Sequence, residues 1–192
     1  MKRAIIFIAE GFEEIEALTI ADILRRADIA ADLCSIGEEL EVRGAHDIRI
    51  KTDIRLKDIK DIESYTAALA PGGMPGAANL KDHDAVIDIF RSFYEREDKL
   101  LACICAAPII LRRAGISAQI AGTCYPGFED EVGYKEYRKE AVVIDKNVVT
   151  SMGPASALPL AIKLTELLAG KEKAKEIAEG TLFNDVLREY RK

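Results

Sequence analysis

The amino-acid sequence predicts an α/β fold in which a mostly parallel sheet carries helices on both faces. Short apolar runs alternate with segments of helical periodicity from the N-terminus to residue 114, and this alternation is typical of repeated strand–helix units. The chain has 192 residues, 49% of them hydrophobic, which is enough for one full core and excludes a disordered chain. We therefore expect a single domain spanning residues 1–192.

The predicted elements follow one another along the chain. Strand-like runs cover residues 4–9, 29–35, 67–70 and 100–104. Segments of helical pattern cover residues 14–27, 85–95, 108–114, 156–168 and 172–179. Two hairpins are expected, one within residues 41–51 and one in which residues 142–144 and 148–150 flank a turn. The first hairpin should project from the sheet, where such a projection often meets a partner subunit.

Composition and charge limit the partners and the compartment. The net charge of −6 comes from 33 acidic and 27 basic residues that are mixed along the chain, so no basic stripe predicts nucleic-acid binding. Lys2, Arg3 and the apolar run after them resemble the start of a signal peptide, but Glu10 ends that run, which we interpret as a strand. No run approaches the ~18 apolar residues of a membrane span. We expect a cytoplasmic protein with neither nucleic-acid nor membrane partners.

The cysteine and histidine content predicts no metal site. The cysteines are Cys34, Cys103, Cys105 and Cys124. They lie in apolar or strand-like settings, without the close Cys-x-x-Cys pairs of a zinc site, and reduced thiols suit a cytoplasmic compartment. The two histidines are expected to be exposed polar residues, His46 in a turn and His83 near a helix start.

The most informative segment covers residues 100–111, where a buried strand leads directly into a helix with Cys105 at the junction. Pro108 fits only in the first turn of that helix, where its missing N–H has no cost. A tight elbow would aim the N–H groups of the helix start at the sulfur and favour the thiolate, so Cys105 is predicted to be the most acidic and most reactive of the four thiols. The alternative is that Cys105 is a small apolar residue at a strand end.

Three further segments should meet Cys105 at the carboxyl edge of the sheet, where ligands bind in open parallel sheets. Residues 10–12, 71–74 and 123–126 each follow a predicted strand, the last of them a short one. Adjacent glycines in the second segment would let backbone N–H groups approach a ligand closely, so the N–H groups of Gly73 and Ala106 are candidate oxyanion donors. The alternative for the glycine pair is an ordinary turn.

Glu16 lies in the middle of an apolar helix face. At ~100° per residue, Phe12, Ile20, Ile23 and Ala27 share one arc with it. A buried, unpaired carboxylate usually keeps its proton, and a protonated carboxyl could donate a hydrogen bond to a nearby thiolate. Two alternatives remain open: this face reaches the surface at its first turn, or the carboxyl caps a neighbouring backbone group.

Four motifs in order along the chain carry a family resemblance. They are residues 9–16 (AEGFEEIE), residues 71–73 with 76–77 and 79–80, residues 104–108 (ICAAP), and residues 150–151 with 153–154. Together they resemble the ThiJ/PfpI superfamily, specifically its parkinsonism-associated deglycase branch, whose members are glyoxalase III-like or protein deglycase-like. The resemblance covers nearly the whole chain. It implies a homodimer and a flavodoxin-like three-layer sandwich similar to that of the class I glutamine amidotransferases.

The resemblance also implies roles for individual residues. Cys105 would be the oxidisable nucleophile, Glu16 its protonated partner, and Gly73 and Ala106 the backbone donors. The possible substrate pocket would be formed by Gly72, Cys124, Tyr125, Gly153 and Pro154. The implied activity is that of a cofactor-free enzyme, which turns small reactive carbonyls such as α-oxoaldehydes into hydroxy acids or deglycates modified protein side chains.

Three residues depart from the family pattern. Ala106 stands directly after the nucleophile, where protease-like members have histidine, so a Cys–His dyad is missing there and peptidase or amidase activity is disfavoured. Tyr125 takes the place of a histidine found near the thiol in some close relatives, and tyrosine is a poor base because its pKa is about 10. His46 replaces an arginine of related hairpins, which affects the dimer contacts expected there.

A second function from a different class remains open. Cys105 could be oxidised to a sulfinate whose oxygens are held by protonated Glu16 and the N–H groups of the elbow. The protein would then be a redox-regulated chaperone or an oxidative-stress sensor without significant turnover.

Overall fold

The computed structural model describes residues 2–190 and confirms the predicted α/β fold with a mostly parallel sheet. The strands are β1 (Arg3–Ile8), β2 (Ala30–Ser35), β3 (Glu41–Arg43), β4 (Arg49–Lys51), β5 (Ile54–Arg55), β6 (Ala67–Ala70), β7 (Leu100–Ile104), β8 (Ala121–Gly122), β9 (Glu136–Tyr137), β10 (Val142–Asp145) and β11 (Val148–Ser151). The helices are α1 (Glu14–Arg26), α2 (Gly76–Lys81), α3 (Asp84–Tyr94), α4 (Ile109–Arg113), α5 (Glu129–Val132), α6 (Ala157–Ala169), α7 (Lys171–Gly180) and α8 (Phe183–Tyr190). None of these helices is long and apolar enough to cross a membrane.

Seven strands form the central sheet, in the order β10-β11-β7-β6-β1-β2-β5. All neighbouring strands are parallel except β10 and β11, which form the predicted antiparallel hairpin. The other predicted hairpin, β3–β4, forms a separate antiparallel pair. Because β1, β6 and β7 are adjacent and parallel, the segments that follow them meet at one edge of the sheet.

The sheet is buried on both faces, as a parallel sheet between two helical layers must be. Alternate residues of β1 belong to opposite sides of the core: Ile6 packs in the cluster that contains Ile20 of α1, and Phe7 packs in the cluster that contains Phe90 of α3. The rings of Phe7 and Phe90 have centroids 6.2 Å apart. The two apolar clusters, one on each side of the sheet, produce the expected three-layer sandwich.

Residues 123–126 follow a short strand, as predicted, but that strand is not part of the central sheet. The preceding strand, β8, has two residues and pairs with β9 in a separate two-stranded sheet. The Tyr134 ring covers Gly122 so closely that an added Cβ would lie 2.6 Å from the ring atom Cζ. Pro108 also differs from expectation, since it lies one residue before α4 rather than inside it.

Candidate active site

Cys105 occupies a strained elbow between β7 and α4. Its φ is +64°, in the left-handed region that residues other than glycine rarely adopt. The Cys105 N–H donates to the carbonyl of Ser151 at 2.9 Å, and the Cys105 carbonyl accepts from the Tyr125 N–H at 2.8 Å. Hydrogen bonds from β11 and from the 123–126 loop therefore hold the backbone in this conformation. This is the geometry of a nucleophile elbow, and strain of this kind clusters at functional sites.

The surroundings of the sulfur distinguish Cys105 from the other cysteines. Cys105 is 9% exposed, whereas Cys34, Cys103 and Cys124 are fully buried. The backbone N–H groups of Ala106 and Gly73 lie near enough to the sulfur to lower the pKa of the thiol. The structure thus brings both candidate donors to the thiol, in a position to stabilise negative charge on it.

Glu16 is the buried partner of this thiol. The residue is fully buried; its Oε2 accepts from the Gly72 N–H at 2.6 Å, and its Oε1 has no hydrogen-bond partner among residues 2–190. The pKa of Glu16 is raised to about 7, chiefly by burial and also by the charge of Glu13. The interactions with the Gly72 N–H and the Cys105 thiol act in the opposite direction. The thiol interacts with the carboxyl without giving Oε1 a well-aligned hydrogen bond. A buried oxygen without a donor favours the protonated carboxyl.

The prediction that Cys105 is the most acidic thiol is not supported. Burial and the charge and hydrogen bond of Glu16 raise the pKa of Cys105 to about 12, although Ala106 and Gly73 lower it. Burial raises the pKa of Cys34 and Cys124 to about 12 as well. Desolvation outweighs the N–H groups of the elbow. The Glu16 contribution disappears once that carboxyl is protonated, so a neutral Glu16 and a thiolate at Cys105 stabilise each other.

Gly72 and Gly73 allow this close approach for different reasons. A Cβ at position 72 would lie 2.7 Å from the Cβ of Cys105 and 2.9 Å from Oε2 of Glu16. Gly73 has a φ of +86°, and a Cβ there would lie 2.6 Å from the carbonyl oxygen of Gly11. Position 72 therefore needs glycine for space, whereas position 73 also needs it for backbone conformation.

Replacing Gly72 with alanine is expected to separate Cys105 from Glu16. The added methyl group should lower the free energy of unfolding by about 1–3 kcal/mol and should lower any catalytic turnover at this thiol more than about 10-fold. Thermal melting and carbonyl turnover measure these effects. Gly37→Ala is the matched control, because its Cβ would meet only the Ser35 Oγ, at 3.6 Å. Full activity in Gly72→Ala would show that the spacing of the two side chains is unimportant.

The remaining predicted pocket residues divide into two groups. Tyr125 is half-exposed and lies against Gly153, where an added Cβ would be 3.3 Å from its Cδ2 atom. Pro154 begins the turn that leads into α6 and is partly exposed. Cys124 is fully buried in an apolar cluster, so its assignment to an accessible pocket is wrong. Consecutive residues of this loop point in different directions, which the sequence does not reveal.

Sequence reasoning missed the contribution of Ser151. Its carbonyl accepts the N–H of the nucleophile, and its Oγ lies 2.6 Å from the Oγ of Ser156 at the start of α6. This pair of hydroxyl groups joins β11 to the turn beside the elbow. The register of β11 against β7 places Ser151 opposite Ile104, and this register could not be inferred without the strand order.

Comparisons with known proteins agree with this arrangement. Residues 2–167 match the model of the DJ-1/PfpI family. Protein dj-1beta of Drosophila melanogaster is 34% identical over 183 residues, which cover 94% of this chain and 97% of the relative. The glutathione-independent glyoxalase DJ-1 of Schizosaccharomyces pombe is 32% identical over 181 residues, which cover 90% of this chain and 94% of the relative. The structure of oxidized Toxoplasma gondii DJ-1 matches with a TM-score of 0.89 and 33% identity, covering 95% of this chain and 98% of that one. The chain therefore belongs to the DJ-1/PfpI family.

Proposed function

We propose that this protein is a cysteine-dependent enzyme that converts small α-oxoaldehydes into 2-hydroxy acids without a cofactor. The observation that carries the proposal is the Cys105 sulfur, which lies at a strained elbow between two backbone N–H donors and the buried Glu16 carboxyl. This arrangement offers a nucleophile, a proton carrier and stabilisation of developing charge. The name of the Schizosaccharomyces pombe relative, glutathione-independent glyoxalase DJ-1, supports the same chemistry.

The first chemical step is addition of the thiolate to the aldehyde. The Cys105 sulfur attacks the aldehyde carbon and forms a C–S bond, and the electrons of the C=O double bond move to the oxygen. That oxygen takes a proton from Glu16, which gives a hemithioacetal. The N–H groups of Gly73 and Ala106, which lie beside the sulfur, stabilise the thiolate before it attacks.

The remaining steps move a proton and release the product. Glu16, now ionised, removes the proton from the former aldehyde carbon, and a proton is returned to the neighbouring ketone carbon through an enediol. The result is a thioester of a 2-hydroxy acid, which water cleaves at the C–S bond to regenerate the thiol. The sum of the steps adds one water molecule to the α-oxoaldehyde without net oxidation, so the reaction consumes no redox partner.

The direct test is product formation by the purified protein. Incubation with methylglyoxal in EDTA, without glutathione, should yield lactate in proportion to enzyme concentration. Glycated protein side chains present a related carbonyl adduct and form the second substrate class to assay. Absence of lactate above the uncatalysed rate would refute the proposed activity.

An oxidation response at the same cysteine is the second candidate function. Cys105 is the only one of the four cysteines with measurable exposure, and a sulfinate there would place its oxygens near the N–H groups of Ala106 and Gly73. This proposal covers a redox-regulated chaperone or an oxidative-stress sensor. A peptidase is not proposed, because Ala106 follows the nucleophile.

One equivalent of hydrogen peroxide is expected to oxidise Cys105 before the other three cysteines. Access rather than acidity sets the order, because burial withholds the other thiols from the reagent. Mass spectrometry of peptides from the folded protein measures the order. Oxidation of Cys34 or Cys103 first would contradict the prediction, and unfolding in guanidinium before treatment should equalise the four thiols.

We also propose that the chain forms a homodimer in the cytoplasm through α1 and the β3–β4 hairpin. Ile15 and Leu18 of α1 and Ile48 of the hairpin are exposed large apolar side chains, a pattern found at protein interfaces. Light scattering coupled to gel filtration should give twice the chain mass, and Ile48→Glu should shift the mass toward one chain. A monomer mass for the unmodified protein would refute the dimer.

A further inference from the structure

Three side chains able to bind a metal ion converge outside the thiol site, where the start of α1 meets the β3–β4 hairpin. They are Glu13, Glu14 and His46, whose ligand atoms all lie within 4.8 Å of one another. His46 Nδ1 is 2.8 Å from Glu14 Oε2 and 3.7 Å from Glu13 Oε2. Ligands around an ion at ~2.0–2.2 Å are separated by comparable distances.

The hairpin holds one of these carboxylates in a fixed orientation. Glu14 Oε1 accepts the backbone N–H of His46 at 2.8 Å, which leaves Oε2 directed toward the imidazole. Gly44 permits the hairpin backbone to lie against this side chain, because an added Cβ would overlap the Glu14 carboxylate. Hydrogen bonds that orient a ligating carboxylate in this way are typical of the outer shell of metal sites.

Glu13 is the unexplained member of the cluster. The residue is only 9% exposed, yet among residues 2–190 no group donates a hydrogen bond to its carboxylate, and its Oε2 points toward the imidazole. Two nearly buried carboxylates thus face one imidazole, which can balance at most one of their two negative charges. Buried charges are normally paired or coordinate metal ions. The His46 side chain is 67% exposed in the single chain, so an ion and its water ligands have access before two chains associate through the hairpin.

We propose that Glu13, Glu14 and His46 form a binding site for a divalent transition metal ion of the zinc class. Nδ1 of His46 and one oxygen of each carboxylate are the protein ligands, and water completes the coordination. The imidazole favours Zn²⁺ over Mg²⁺, which prefers oxygen ligands. Binding releases the proton between His46 and Glu14, and the ion fixes the hairpin to α1 as a structural link. The proposal departs from the sequence-based expectation of no metal site, which considered cysteine and histidine spacing and not ligands that meet from separate segments.

Calorimetric titration with Zn²⁺ of EDTA-stripped, dialysed protein tests the site. We expect one ion per chain in the Cys105→Ala background, which removes the thiol as a competing ligand. His46→Gln and Glu13→Gln should each weaken binding more than about 10-fold, whereas His83→Gln, which replaces the other histidine, should not. Mg²⁺ should not displace the bound Zn²⁺.

Two further readouts identify the ligands. Co²⁺ bound to the unmodified protein should show weak d–d absorption without a thiolate-to-metal charge-transfer band, because the site contains only nitrogen and oxygen donors. Zn²⁺ should raise the melting temperature of the unmodified protein but not of His46→Gln. No saturable binding below about 100 μM Zn²⁺, or binding that requires Cys105 and tolerates His46→Gln, would overturn the proposal. Because the assay detects the ion rather than turnover, it is independent of the proposed carbonyl chemistry.

Discussion

Cys105→Ala is expected to abolish lactate formation from methylglyoxal, with a loss of at least about 10³-fold. The substitution removes the only one of the four cysteines that is not fully buried. The remaining donors and Glu16 would still bind a carbonyl oxygen, but no C–S bond could form. Lactate formation under saturating methylglyoxal measures the effect.

Cys103→Ala is the matched control for this variant. Cys103 lies two residues earlier on β7 and is fully buried, so the same atoms are removed without a change at the elbow. This control should lose some stability through a small cavity but retain turnover in its folded fraction. Circular dichroism and thermal melting establish that both variants are folded. A folded Cys105→Ala protein with turnover near that of the unmodified chain would exclude Cys105 as the nucleophile.

Local sequence patterns predicted the α/β class and the buried position of Glu16, whereas the roles of Cys105 and Glu16 as partners followed from the family resemblance. The alternation of apolar runs and helical segments located β1, β2, β6 and β7 to within a residue or so, because buried parallel strands are continuously apolar. Helical periodicity placed Glu16 on the buried face of α1, where the structure has it. The strand positions and the burial of Glu16 both follow from the spacing of apolar residues that are close in sequence.

Features that depend on tertiary packing were not predictable in the same way. The two-residue strand β8 pairs with β9 from a distant part of the chain, and the burial of Cys124 depends on which side of its loop faces the core. The acidity of Cys105 was misjudged because the sequence reveals the helix start but not the amount of desolvation. The meeting of Glu14 with His46 joins residues on separate elements, and no local pattern encodes that contact.

Glu16→Gln is expected to lower lactate formation by about 10²- to 10⁴-fold while leaving the protein folded. The amide keeps an oxygen that accepts the Gly72 N–H and supplies a neutral donor toward the sulfur, but it cannot exchange a proton during turnover. Because the Glu16 carboxyl is fully buried and favours its neutral form, the free energy of unfolding should change by less than about 1 kcal/mol. Lactate assays and thermal melting measure the two effects. Asp22→Asn removes an exposed carboxylate from the same helix and serves as the control, with turnover unchanged.

Glu16→Asp separates the need for an acid from the need for its position. The shorter side chain keeps an exchangeable proton but withdraws it by one methylene, so the Gly72 N–H loses its partner and a small cavity forms. The free energy of unfolding should fall by about 1–3 kcal/mol, and turnover should lie between that of Glu16→Gln and the unmodified protein.

The rate of peroxide oxidation at Cys105 should also change in both variants, because each alters the group beside the sulfur. Full turnover in Glu16→Gln would exclude proton transfer by Glu16. Unchanged oxidation rates in both variants would show that the carboxyl and the thiol do not interact. A water molecule at the exposed side of Cys105 would then be the remaining candidate for the proton carrier.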